Sequence, residues 1–118
     1  MYNQSSEDYL ESILLLSRES EFVHRVDVAR RIGVSQPAVQ KAVKILEGGG
    51  FVECDGMHIY LTKKGKDYAE EIFDRHCTLS AFLEKLGVNP ADAEADACKM
   101  EHILSSASFD AIKKFLGK

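Results

Sequence analysis

The spacing of apolar positions changes several times along the chain, and each change marks an element. Residues 6–19, SEDYLESILLLSRE, open with a serine cap and acidic residues, after which Tyr9, Leu10, Ile13, Leu14 and Leu16 give an apolar helical face. The stretch VHRVDVARRIGVSQPAVQKAVKILEGGG reads as two helices joined by a sharp turn. The first runs near Val26 to Ile32 with Val28, Ala29 and Ile32 inward, and Gly33 stops it. Ser35 caps the next helix, and Pro37 falls inside its first turn, where the missing N–H costs nothing. Val39, Val43 and Leu46 form the buried side of that helix, which ends at Gly48-Gly49-Gly50. Two short β-rich runs follow in FVECDGMHIYLTKKG, separated by Asp55-Gly56, the best hairpin signal in the chain. Helical spacing returns from about Lys63 to Leu86, with Cys77-Thr78 as the place where a break would fall. Another helix is expected from Pro90 to about Ser105, and a short last one from Phe109 to Leu116.

Helix, helix-turn-helix, hairpin and helix, in that order, predict a winged helix-turn-helix domain. The second helix of the pair would enter the major groove of DNA. Its exposed side carries Ser35, Gln36, Gln40, Lys41 and Lys44 around Pro37, donors suited to base edges and phosphates. Arg30, Arg31, Lys63 and Lys64 are placed to grip the flanking backbone, and the wing tip, Asp55 to His58, to reach a neighbouring groove. The plainer alternative is an αα-hairpin with a solvated lysine face. The hairpin that follows favours the wing.

Net charge is −4 over 118 residues, which at face value argues against a nucleic-acid partner. The distribution reverses that impression. From His24 to Lys66 there are eight Lys/Arg against four Asp/Glu, and the remainder holds seven against fifteen. A basic centre between acidic ends suggests anion binding in the middle and cation binding at the periphery. No apolar run approaches the ~20 residues that cross a bilayer, and no signal peptide is expected at the N-terminus. Three cysteines at distant spacings do not make a disulfide framework. A cytoplasmic protein with reduced thiols and no membrane partner is expected.

The chemistry concentrates near the C-terminus, in DACKMEHILSS. Cys98, Glu101 and His102 stand at i, i+3 and i+4, so on a helix they share one face. A thiol, a carboxylate and an imidazole together are metal ligands, an accident of a polar face, or a nucleophile with its base. Asp8 and Glu11, at i and i+3, put two carboxylates on one face of the first helix, and His76 lies in the long helix with no apolar run to explain it. Such groups repel one another without a cation, which favours a divalent metal tying the first helix to the C-terminal ones.

With these motifs in order, the chain resembles the iron- and manganese-dependent repressors of bacteria, the group that contains the diphtheria toxin repressor and the manganese transport regulator. The resemblance runs from about Ser6 to Leu116. SEDYLESIL is similar to the family's N-terminal helix, VDVARRIGVSQPAVQKAVKILEGGGFV to its helix-turn-helix, LTKKG to the exit from its wing, and RHCTLSAFL with DACKMEHILS to its dimerisation region. The resemblance implies that Asp8, Glu11, His76, Glu101 and His102 fall on metal-ligand positions of the manganese type. Cys98 departs from that type, which has glutamate there. Cysteine is the habit of the iron type, whose residue at the position of Asp8 is usually methionine. Ser80 stands at one carboxylate position of the iron type's second site; Glu94 is left as a candidate ligand there, and one metal centre is what the resemblance implies. The end at Lys118 implies that the extra C-terminal domain of longer iron-type members is absent.

The expected fold is therefore mainly α. A winged helix-turn-helix DNA-binding domain over residues 1–65 precedes an all-helical dimerisation and metal-binding domain over 66–118. The expected function is a homodimeric transcriptional repressor that controls metal uptake. It is activated by Fe²⁺ or Mn²⁺, with Co²⁺, Ni²⁺ or Zn²⁺ able to act in vitro, and binds a pseudo-palindromic double-stranded operator. The alternative is a winged-helix regulator switched by oxidation of Cys77 or Cys98. An enzyme using Cys98 as nucleophile and His76 or His102 as base lacks an oxyanion hole and a substrate pocket, so no small-molecule substrate is expected. A structural zinc module is disfavoured because carboxylates outnumber the Cys and His ligands.

Overall fold

In the computed structural model, which describes residues 4–117, six helices and a small sheet follow one another. They are α1 (Gln4–Glu19), β1 (Val23–His24), α2 (Arg25–Ile32), α3 (Gln36–Gly48), β2 (Val52–Asp55), β3 (His58–Leu61), α4 (Lys63–Lys85), α5 (Pro90–Met100) and α6 (Ser106–Phe115). The chain divides into two compact units, residues 1–70 and 71–118, with α4 crossing the boundary.

The first unit is a winged helix-turn-helix. Leu10, Ile13 and Leu14 of α1, Val28 of α2, and Val39, Val43 and Leu46 of α3 form its core beneath Val23, Val52 and Ile59 of the sheet. The turn between α2 and α3 works as its residues require. Gly33 takes a left-handed φ of 85°, and its N–H donates to the Ala29 carbonyl. Ser35 then caps α3 by accepting from the Ala38 N–H at 3.2 Å. The three-stranded antiparallel sheet has the order β1-β3-β2, and Asp55 pairs with His58 across the wing turn. Gly56 leads that turn with φ 61°, the position a type II′ turn reserves for glycine.

Where the wing meets α4, backbones touch. A Cβ on Gly65 would lie 1.9 Å from the Phe51 carbonyl oxygen, so only glycine fits there. Thr62 accepts from the Gly65 N–H and donates to the Gly50 carbonyl, tying the helix start to the strand entry. The LTKKG motif is thus a packing requirement.

The second unit holds the rest of α4 with α5 and α6. Asn89 and Ser105 cap α5 and α6 by accepting from Asp92 and Ser108 N–H groups. Ala93 and Ala97 are fully buried, small enough for close helix approach.

The elements differ from the expected ones in four places. Val23–His24 forms a third strand, too short to show any alternation in the sequence. α4 runs unbroken through Cys77-Thr78, because Thr78 and Leu79 are both fully buried. The helix expected to reach Ser105 ends at Met100, with Glu101 as its C-cap and turn residues after it. His102 and Ile103 donate to carbonyls only three residues back, at Lys99 and Met100, which tightens the backbone out of the α-helix. α6 accordingly begins at Ser106 rather than Phe109.

Candidate metal centre

The second unit buries one carboxylate almost completely. Glu101 is 2 % exposed, and its oxygens lie 3.0 Å from His76 Nδ1 and 3.2 Å from His102 Nε2. Neither oxygen has a hydrogen bond of good geometry among the described residues. Burying an ionised carboxylate without aligned donors costs several kcal/mol, on the order of what only a charge partner offsets. His76, Cys98 and Glu101 can each offer one ligand atom, all within 4.8 Å of one another. An imidazole nitrogen, a thiol sulfur and a carboxylate oxygen form a donor set that fits a first-row divalent ion. The group suits a metal.

Backbone geometry holds this cluster in place. His76 comes from the middle of α4, Cys98 from the last turns of α5, and Glu101 and His102 from the tight turn beyond it. Arg75, next to His76, donates from Nη1 to the Glu101 carbonyl at 3.0 Å and from Nη2 to the Leu104 carbonyl at 2.9 Å. Its guanidinium also lies 4.9 Å from the Phe109 ring centroid. One side chain thus satisfies carbonyls at the C-cap of α5 and at the far side of the turn beyond it, fixing the turn that carries the carboxylate. Arg75 escapes a sequence reading because its partners are backbone atoms 26 and 29 residues away.

Asp8 and Glu11 lie in the first unit, on α1, both half-buried and one helical turn apart. The thiols differ in setting. Cys77 is exposed, Cys98 half-buried, and burial pushes the Cys54 thiol above its usual range, with the Glu47 carboxylate adding to the effect. Cys54 is therefore a poor thiolate.

Of the residues read as DNA contacts, Arg30, Ser35, Gln36, Pro37, Lys41 and Lys44 are exposed and Gln40 is half-buried. Others have local partners. Arg31 lies 3.7 Å from Glu19, Lys63 2.9 Å from Asp67, and Lys64 donates to the Gly49 carbonyl while sitting over the Phe51 ring.

The family model for the iron dependent repressor N-terminal DNA binding domain matches residues 1–58. That for the iron dependent repressor metal binding and dimerisation domain matches residues 62–118. The chain belongs to the iron-dependent repressor family. It is similar to the transcriptional regulator MntR of Escherichia coli O157:H7, with 41% identity over 113 residues, covering 95% of this chain and 73% of the relative. An uncharacterized HTH-type transcriptional regulator of Methanocaldococcus jannaschii is 36% identical over 119 residues, 98% of this chain and 95% of its own. Among solved structures, the manganese regulator SloR superposes with a TM-score of 0.84 at 31% identity over 99% of this chain. The chain spans about half of that protein's length, 54%. As a member of the iron-dependent repressor family, the chain is a metal-dependent, DNA-binding transcriptional regulator and not an enzyme. No described helix is long and apolar enough to cross a membrane.

Proposed function

We propose that this repressor-family chain senses Fe²⁺ or Mn²⁺ through one metal centre and, when loaded, represses metal uptake by binding a pseudo-palindromic operator as a cytoplasmic homodimer. Its winged helix-turn-helix, over residues 1–65, reads DNA, and the helical domain over 66–118 dimerises and binds metal. The observation that carries this is the buried Glu101 carboxylate, held between two imidazoles without a well-aligned hydrogen bond among the described residues.

His76, Cys98, Glu101 and His102 would hold the ion, with Asp8 and Glu11 of α1 as its ligands from the first unit. A bound divalent ion supplies positive charge that offsets the carboxylates and joins ligands from both domains. Switching needs a coupling of only ~1–3 kcal/mol between metal and DNA. A dimer presents two α3 helices about one DNA turn apart, matching the two-fold symmetry of the operator. On each α3, the exposed Gln36, Lys41 and Lys44 with Ser35, Pro37 and Gln40 would meet base edges and phosphates, while Arg30, Arg31, Lys63 and Lys64 would flank them.

Cys98 decides the metal. Thiolate is a soft ligand that favours Fe²⁺, Co²⁺ or Zn²⁺, whereas Asp8 and Glu11 suit the harder Mn²⁺. Anaerobic titration of operator binding with Mn²⁺, Fe²⁺ and Co²⁺, in the native chain and in Cys98→Ala, tests the reading. Chelation should abolish binding, and Cys98→Ala should weaken Fe²⁺ and Co²⁺ activation and remove the thiolate-to-Co²⁺ charge-transfer band. Full operator affinity in metal-free protein would overturn it.

A further inference from the structure

One imidazole in the second unit has a carboxylate at each nitrogen. His76 Nδ1 lies 3.0 Å from Glu101 Oε2, and its Nε2 lies 3.3 Å from Glu94 Oε1. The two carboxylates are unlike. The Glu101 side chain is fully buried, whereas that of Glu94 is 69% exposed. Glu94, Cys98 and Glu101 follow one another at i, i+4 and i+7 along α5 and its end, a single helical face. Ala93 and Ala97, with no exposed surface, let that face approach His76.

A neutral imidazole carries one proton, and only its other nitrogen has a lone pair for a metal. The two ring nitrogens point away from each other, so one metal cannot take Nδ1 and also reach a carboxylate seated at Nε2. We propose that Glu94 is a positioning residue for the metal centre. Its carboxylate accepts the Nε2–H of His76 and so directs the Nδ1 lone pair towards Cys98 and Glu101. This rests on the metal-centre reading above. A solvated carboxylate suits the task, since it orients the ring and raises its basicity without the desolvation that burying a second charge would bring.

The test uses the full chain with Zn²⁺ as a diamagnetic probe, in the native protein and in Glu94→Ala, Glu94→Gln and His76→Ala. Glu94 is exposed, so its variants fold. Affinity is read by competition with a chelator, and the His76 tautomer from long-range ¹H–¹⁵N correlations of the ring. Glu94→Ala should weaken Zn²⁺ binding about 10–100-fold. Glu94→Gln, whose amide oxygen can accept the same N–H, should recover most of that loss. Zn²⁺-loaded native protein should show His76 protonated at Nε2 and bound through Nδ1. Native affinity in Glu94→Ala, a glutamine variant as weak as the alanine one, or Zn²⁺ bound through Nε2 would each overturn the positioning role. If His76→Ala binds Zn²⁺ as the native chain does, the metal-centre assignment of His76 itself fails and takes the role of Glu94 with it.

Discussion

The two units bury different things. Among the described residues, the first hides Leu10, Ile13, Leu14, Val28, Val39, Val43, Leu46, Phe51, Val52 and Ile59, a continuous apolar core for a winged helix-turn-helix. The second hides few large apolar groups, chiefly Ile72, Leu79 and Phe109, and spends much of its interior on Ala93, Ala97, Thr78 and Glu101. It also leaves Ile103, Phe115 and Leu86 more than half exposed. The second unit therefore buries fewer large apolar side chains than the first. The first unit buries a carboxylate too, Glu7, but there the Tyr68 hydroxyl donates to it, whereas the Glu101 oxygens have no well-aligned donor among the described residues. Within this family, a metal ion and a second subunit are the natural candidates to complete the second unit.

The contrast can be broken most forcefully in the first unit. Leu46 has no exposed surface, so Leu46→Ala should cost about 2–5 kcal/mol of winged-helix stability in chemical denaturation. Native stability in Leu46→Ala would show that this apolar core does not carry the first unit.

Metal itself should act on the other side of the contrast. At ~100 times its dissociation constant, a bound ion adds about 2.7 kcal/mol to the folded state. Hydrogen exchange should place the added protection in α5, the 101–104 turn and α1, which carries the proposed ligands Asp8 and Glu11, with the α3 amides little changed. Uniform protection along the chain would erase the distinction between the units.

Gly65→Ala sharpens the comparison at the junction of wing and α4. The new methyl collides with the Phe51 carbonyl, and overpacking of this kind should lower the thermal midpoint by the equivalent of about 1–3 kcal/mol. An unchanged midpoint would mean that the strand entry yields easily.

The smallest effect belongs to the turn. Ser35→Ala removes the α3 cap and should cost about 1 kcal/mol, measured by the same denaturation, without altering metal affinity. A change in metal affinity would link the two units through α3.

The sequence alone carried the winged helix, because its signals are local. Gly33, Ser35, Pro37 and Asp55-Gly56 each act within a few residues of themselves, and apolar spacing marks which side of α1 and α3 turns inward. It also showed that Cys98, Glu101 and His102 are neighbours, since three or four residues suffice for that. Tertiary structure decided what those neighbours meet. Arg75 pins the turn after Met100 through carbonyls far along the chain, so the α5 pattern stops five residues before its spacing suggests. The pairing of β1 with β3 joins segments more than thirty residues apart, and the approach of Glu94 and Glu101 to opposite nitrogens of His76 depends on how closely α5 lies against α4. Period and capping are properties of the nearby chain, whereas the company kept by a buried polar group is set by whatever the folded backbone brings to it.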